Sequence, residues 1–274
     1  MSLSENDSLL RIALVIEYHG ADFHGWQLQK KPAVPTVAGL LTEALSKIAN
    51  HPVHLYCAGR TDAGVHATHQ VVHFETSAYR PLRAWIAGVN THLPKTISVK
   101  WAKEVGSDFH ARFSAQSRTY QYLIHNASVR SSFLINQVTL VNAKLDVEKM
   151  HQAGQDLLGE HDFSGFRASG CQSFSSHRNM MKIDIKRQGV FVLAEIQANA
   201  FLLHMVRNIM GVLIDIGIGV NPVSYAADVL ASKDRTQASK TAPAAGLYLI
   251  GVEYPLHFNM LSSRSDLGFW SDRV

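Results

Sequence analysis

The stretch Gly59-Arg60-Thr61-Asp62-Ala63-Gly64-Val65-His66 places one carboxylate between an arginine and a glycine. It follows an apolar, strand-like run, Val53-His54-Leu55-Tyr56-Cys57. A strand that feeds a Gly-rich turn holds a side chain at the end of an element, where a substrate reaches it. A neighbouring guanidinium biases an Asp toward its ionised form, and an ionised, positioned carboxylate is a candidate nucleophile. The same residues also suit an ordinary turn, in which Asp bonds its own backbone and Gly supplies positive φ.

Arg207 is the second group of interest. It sits among Phe201, Leu202, Leu203, Met205, Val206, Ile209 and Met210. A lone guanidinium is costly to bury without a partner. Asp62 would suit it, through a bidentate contact; the alternative is a snorkelling Arg with its head in water. Tyr120 and Tyr122 alternate with Thr119 and Gln121, so period-2 spacing puts both rings on one strand face. Arg112, Arg118, Arg130, Arg167 and Arg178 are interleaved with Phe109, Phe113, Tyr120, Tyr122, Phe163 and Phe166. That mixture suits phosphates and unstacked bases, and it equally suits core aromatics beside solvated arginines.

The fifteen histidines raise a metal-hydrolase reading. His66, His69 and His73 are spaced by three and four, and His51 and His54 lie nearby. Residues 70–76 read as a strand, however, where that set does not share one face, and no His-Glu-x-x-His pattern occurs. No metal site is expected. A non-catalytic RNA-binding module would share the basic, aromatic surface but has no use for an Asp–Arg pair in a cleft.

The elements that must position these groups follow from periodicity. Residues 11–18, 53–58, 70–76 and 97–105 read as strands. Thr36 caps a helix through Asn50, with Val37, Leu40, Leu41, Ala44, Leu45 and Ile48 on one face, and Pro81 opens another through about His92. The order β-α-β-β-α-β is the split ferredoxin-like unit. Residues 118–126, 179–187, 190–198 and 246–254 read as further strands, with helices over 147–158, 201–218 and 222–231. The chain is therefore expected to be α+β: two ferredoxin-like α/β halves, 9–106 and 107–255, with a largely antiparallel sheet, a central cleft and a polar tail over 256–274.

A chain of 274 residues buries a sizeable core without staples. Two cysteines, Cys57 and Cys171, are too few for a disulfide framework and fit a reducing cytosol. Residues 1–8 show no apolar leader. The apolar run over 201–220 contains His204, Arg207, Asn208 and Asp215, which argues against a membrane span. The net charge of +4 and pI of about 9.0 permit an RNA partner.

Read in order, Tyr18-His19-Gly20-Ala21-Asp22-Phe23-His24-Gly25-Trp26-Gln27, Cys57 to Thr68, Phe109-His110-Ala111-Arg112-Phe113-Ser114-Ala115, Arg118-Thr119-Tyr120-Gln121-Tyr122 and His204-Met205-Val206-Arg207-Asn208 carry a resemblance. The chain resembles the tRNA pseudouridine synthase I (TruA) family from about Arg11 to Tyr254. One departure is visible, since His19 stands where that family usually has Asp; it puts a turn contact in question.

The resemblance implies the pseudouridine synthase fold, a cytoplasmic homodimer and tRNA as substrate, with uridines 38, 39 and 40 of the anticodon stem-loop converted to pseudouridine. That reaction exchanges a C1′–N1 link for a C1′–C5 link, without redox change or net hydrolysis, and needs no cofactor. Asp62 is implied as the catalytic carboxylate, attacking C1′ or C6 or acting as a base. Tyr120 is implied to stack on the flipped uracil, Tyr122 reads as part of a hydrophobic layer, and Arg60 touches the backbone or fills the gap left by the flipped nucleotide. The resemblance moves Arg207 toward the active site and makes Arg80 a phosphate contact. Phe109, His110, Ala111, Arg112 and Phe113, and Gly170, Cys171, Gln172, Ser173 and Phe174, look like tRNA-selecting segments. Leu247 packs under the base or belongs to a strand core.

Overall fold

The computed structural model describes residues 9–29 and 34–261. The N-terminal residues expected to lack a leader, and most of the expected polar tail, lie outside the described residues. The chain divides into two compact units, 1–116 with 251–274, and 117–250.

The first unit contains β1 (Leu10–Tyr18), α1 (Val37–Ala49), β2 (Tyr56–Cys57), β3 (His66–Thr76), a π-helical segment (Ala84–Gly88) and β4 (Ile97–Val105). β1 lies between β4 and β3, and β2 pairs with β3. All three pairings are antiparallel, which is the arrangement of a split βαββαβ unit. The Thr36 hydroxyl accepts from the Gly39 N–H and starts α1, and Asn50 ends it in the left-handed region at φ 59°. Val37, Leu41, Ala44, Leu45 and Ala49 form its buried stripe.

Two details differ from the sequence reading. β2 is only two residues long, and β3 begins four residues earlier than periodicity suggests. His66, Ala67, His69 and Gln70 are all buried, so no alternation marks the true strand start. Residues 107–116 belong with the first unit. Phe109 is fully buried there, with Tyr254 and Phe258 ring centroids 5.1 and 5.2 Å away, and the Tyr254 hydroxyl donates to the Ala111 carbonyl at 2.6 Å.

The second unit contains β5 (Ser117–His125), β6 (Thr139–Leu140), α2 (Val147–Gln155), β7 (Gly159–Asp162), β8 (His177–Gln188), β9 (Phe191–Ala198), α3 (Met205–Gly217), α4 (Tyr225–Ser232) and most of β10 (Leu247–Glu253). Its strand order is β10-β5-β9-β8-β7. β10, β5, β9 and β8 thus repeat the pattern that β4, β1, β3 and β2 make in the first unit. β5–β9, β9–β8 and β8–β7 are antiparallel, and β5–β6 is parallel.

β6 and β7 are too short and polar to be read from sequence. α3 starts at Met205, not at Phe201. The apolar run continues smoothly, but His204 sits in the left-handed region at φ 59° and the helix cannot extend back through it. Arg207 therefore lies in the first turn of α3. Among the described residues, no helix is long and apolar enough to cross a membrane.

Candidate active site

Asp62 sits in a tight turn between β2 and β3, closed by the Val65 N–H donating to the Asp62 carbonyl at 3.2 Å. The side chain is half-buried. The turn is clamped by the Tyr18–Gln27 segment. The Trp26 N–H donates to the Thr61 carbonyl at 3.0 Å, and the Gly64 N–H to the Phe23 carbonyl at 3.3 Å. The two glycines of that segment have separate reasons. A Cβ at Gly20 would collide with the Val65 carbonyl, and Gly25 holds φ 85° with its α-carbon against the Thr61–Asp62 backbone.

Beneath the turn lies a buried polar layer. The Tyr18 hydroxyl meets Thr61 Oγ1 at 2.8 Å. The Gln70 amide brackets Gly59, donating to its carbonyl at 2.6 Å and accepting from its N–H at 3.3 Å. Tyr18, Thr61 and Gln70 are all buried. Burial pushes the Tyr18 phenol far above its ordinary range, so it stays protonated. Sequence reasoning did not single out Tyr18, Thr61 or Gln70 for this role. Gln70 lies in a strand of mixed polar and apolar residues, so its type alone does not mark it.

Arg60 is exposed in the same loop as Asp62. His19 leaves its turn intact: its N–H donates to the Thr96 carbonyl at 2.9 Å, and its ring lies 4.6 Å from that of His66. His66 Nδ1 accepts from the Gly20 N–H at 3.0 Å, and His73 Nδ1 from the Ala111 N–H at 3.1 Å. His51 bridges the Pro52 carbonyl and Thr76 Oγ1 at 2.9 and 2.8 Å. These histidines serve as backbone partners, and among the described residues no three His, Cys, Asp or Glu are grouped as metal ligands.

The Phe109–Phe113 segment is divided. Phe109 and Ala111 are fully buried, so only His110, Arg112 and Phe113 reach the surface. His110 Nδ1 accepts from the Arg112 and Phe113 N–H groups at 3.1 and 3.3 Å, turning the chain so that both side chains point out. The Arg112 guanidinium lies 5.6 Å from the Phe113 ring centroid. Burial, His110 and Arg11 hold the His73 pKa down to about 4, and burial also lowers that of His110. Both are neutral acceptors at neutral pH. Arg80 is exposed at the C-terminal end of α1, where its Nε donates to the Ile48 carbonyl at 3.3 Å.

In the second unit, Tyr120 is buried on β5 with its ring edge-on to Phe201 at 5.1 Å. Tyr122 lies deeper, its hydroxyl between Thr139 Oγ1 at 2.6 Å and the Pro243 carbonyl at 2.8 Å, which makes it a core group. The Arg207 Nε donates to the Ala242 carbonyl at 2.8 Å, while the Ala242 N–H returns to the Arg207 carbonyl at 3.1 Å. Asn208, next to it, is wholly structural. Its amide donates to the Phe166 carbonyl at 2.8 Å and accepts from Arg235 and Thr241 at 3.0 and 2.7 Å. Leu247 is buried at the start of β10.

The Gly170–Phe174 loop is open. Gly170 has φ 78° with no neighbour within 4 Å of a built Cβ, and Phe174 is fully exposed. Gln172 is exposed, and Cys171 and Ser173 are half-buried. Arg167 gathers the Cys171 and Ser173 carbonyls at 2.7 and 3.0 Å, and Arg178 reaches Ser173 Oγ at 2.7 Å.

The described residues thus combine a braced carboxylate turn and exposed arginine–aromatic segments on a mixed α+β fold. A sequence profile described as tRNA pseudouridine synthase matches residues 14–114 and 153–255. A Pseudoalteromonas atlantica protein called tRNA pseudouridine synthase A is 55% identical over 91% of this chain and 94% of its own. A Cronobacter sakazakii protein of the same name is 51% identical over 95% and 96%. Among solved structures, an H/ACA RNP bound to a substrate RNA containing 2′-deoxyuridine matches at a TM-score of 0.33 and 11% identity, over 74% of this chain and 44% of that one. The chain belongs to the tRNA pseudouridine synthase family and is an isomerase.

Proposed function

We propose that this protein converts uridines 38, 39 and 40 of the tRNA anticodon stem-loop to pseudouridine, with Asp62 as the reacting carboxylate. The observation that carries the reading is the Asp62 turn. It is held from one side by the Tyr18–Gln27 segment and from below by buried side chains. Catalysis by a positioned group needs that group fixed before the substrate arrives.

The reaction breaks C1′–N1 and forms C1′–C5. The uracil C5 proton is lost and N1 gains one, so no redox partner enters. The target nucleotide must leave the helical stack first. Tyr120 supplies a ring for the extruded base, and Leu247 an apolar surface. Arg60 takes the backbone or the gap left behind, and Arg207 a fixed positive charge for the carboxylate chemistry. Arg80, Arg112 and Phe113, with Gly170, Cys171, Gln172, Ser173 and Phe174, form the RNA rim. Neighbouring uridines at different positions are accepted through RNA shape and backbone, not base sequence. The enzyme acts as a cytoplasmic homodimer.

Mass-spectral mapping of tRNA after incubation with the purified protein tests the reading. Pseudouridine at 38, 39 or 40 is the expected result, and modification confined to other positions rejects the site assignment.

A further inference from the structure

β2 and β3 pair through Tyr56–His73 and Cys57–Val72, and the Ala58 N–H donates to the Val71 carbonyl at 2.8 Å. The next rung would fall at Gly59 and Gln70. There the β2–β3 ladder stops, while β3 continues alongside β1 with Gln70 opposite Ile16. The Gln70 side chain takes over, meeting both polar groups of Gly59 with one amide. The chain can then leave the sheet at Gly59 and rise into the Asp62 turn without losing a buried backbone partner.

The orientation of that amide is fixed by its partners. The Gly59 carbonyl only accepts and the Gly59 N–H only donates, so Nε2 faces the first and Oε1 the second. The second Nε2 proton is directed at the Tyr18 hydroxyl, 3.5 Å away at the outer limit of bonding. With its oxygen facing that donor, Tyr18 is set to donate onward to Thr61 Oγ1 at 2.8 Å. A directed chain, Gln70 amide to Tyr18 hydroxyl to Thr61 hydroxyl, therefore ends on the residue adjoining Asp62.

We propose that Gln70 and Tyr18 are positioning residues that set the Asp62 carboxylate through Gly59 and Thr61. This rests on Asp62 being the catalytic group. Buried networks of this kind act as units and are sensitive to loss of one member. Tyr18, Thr61 and Gln70 are buried, so the role assigned to them is confined to where the carboxylate stands.

The test is single-turnover pseudouridine formation at saturating full-length enzyme, with tRNA affinity measured on the same variants. Thr61→Val removes one end of the Tyr18–Thr61 hydrogen bond, and Tyr18→Phe removes its other end together with the long contact to Gln70; each should slow turnover about tenfold, with affinity within about twofold. Combining them should cost little more than either alone, since both break the same link. Thr61→Ser keeps the hydroxyl and should restore the rate. Gln70→Glu presents an acceptor to the Gly59 carbonyl and should slow turnover by 100-fold or more. Should that variant fail to fold, the Tyr18/Thr61 cycle decides alone.

Asp62→Asn is run alongside. If it turns over like wild type, the catalytic reading fails. If it is inactive while Tyr18→Phe and Thr61→Val turn over at the wild-type rate, only the positioning role is overturned. Additive losses, equal loss in Thr61→Ser, or loss of affinity without loss of rate would also overturn it.

Discussion

The Asp62 turn and the Gly170–Phe174 loop are both short, polar segments with a glycine at positive φ, and they are held in opposite ways. The first is braced by groups distant in sequence, on β1 and β3, through buried and half-buried hydrogen bonds. The second is gathered mainly by Arg167 and Arg178, residues close to it in the chain, and it leaves Phe174 in solvent. Long-range bracing fixes a side chain to a fraction of an ångström, as bond-making requires. Local gathering fixes a loop's outline and leaves its tip adaptable, which suits an irregular RNA surface. Under the proposed function, the first region carries the chemistry and the second the recognition.

The sharpest way to break that division is to strike each region at its tip. Asp62→Asn preserves shape and removes charge. Turnover should fall by several orders of magnitude while tRNA affinity stays within about twofold of wild type, measured by single-turnover assay and filter binding. Phe174→Ala should do the reverse, weakening binding by about tenfold, as expected for one lost stacking contact, with the rate on bound RNA preserved. If Phe174→Ala abolishes turnover at saturation, the 170–174 loop belongs to the chemistry and the division is wrong.

Arg207→Lys comes next. Lysine keeps the charge and loses the planar fork whose Nε is fixed on the Ala242 carbonyl. Turnover should drop about 10- to 100-fold with the fold intact by circular dichroism. A variant with wild-type turnover would show that any cation at the start of α3 suffices.

How much of this was legible in the sequence differs between the same two regions. Asp62 stood out because its neighbours, Arg60 and Gly64, carry chemical and conformational information on the spot. Its supports did not, because Tyr18, Thr61 and Gln70 are spread over 53 positions and meet only once β1 and β3 pair. Strands over 11–18 and 97–105 and helix α1 were readable from periodicity and capping. The start of α3 was not, since the apolar pattern runs unbroken through His204 and only its left-handed backbone ends the helix. Phe109 was read with its exposed neighbours, yet it is a core ring; alternating burial within a five-residue turn has no periodic signature.

The histidines supply a smaller test, of stability. Folding keeps His73 neutral down to about pH 4, against an ordinary value of 6.5. The unfolded chain therefore takes up a proton at higher pH than the folded one. This contribution to stability is complete above about 6.5 and is lost as pH falls toward about 4. His110 works in the same direction. Urea unfolding across that range should show a declining midpoint, and His73→Gln should flatten the decline. An unchanged slope in His73→Gln would assign the acid sensitivity elsewhere. The 170–174 loop has no such buried histidine acceptor, so its variants should leave the slope as it is.

The smallest expected effect concerns Arg80, which is asked to do two things. Its Nε caps the C-terminal end of α1 through the Ile48 carbonyl, and its exposure lets the charged head meet a phosphate. Loss of an exposed cap should change stability by no more than about 0.5 kcal/mol. Loss of one phosphate contact should lower the slope of log affinity against log salt by about one and weaken binding to different tRNAs alike. The rate on bound RNA should survive, because Arg80 stands outside the braced turn. A salt titration of Arg80→Ala with single-turnover rates at saturation separates the roles. A normal slope with a small loss of stability leaves Arg80 a helix cap only. A normal slope with a collapsed rate would make it part of the chemical centre, and would show that a locally held, exposed arginine can do what the comparison reserves for the deeply braced turn.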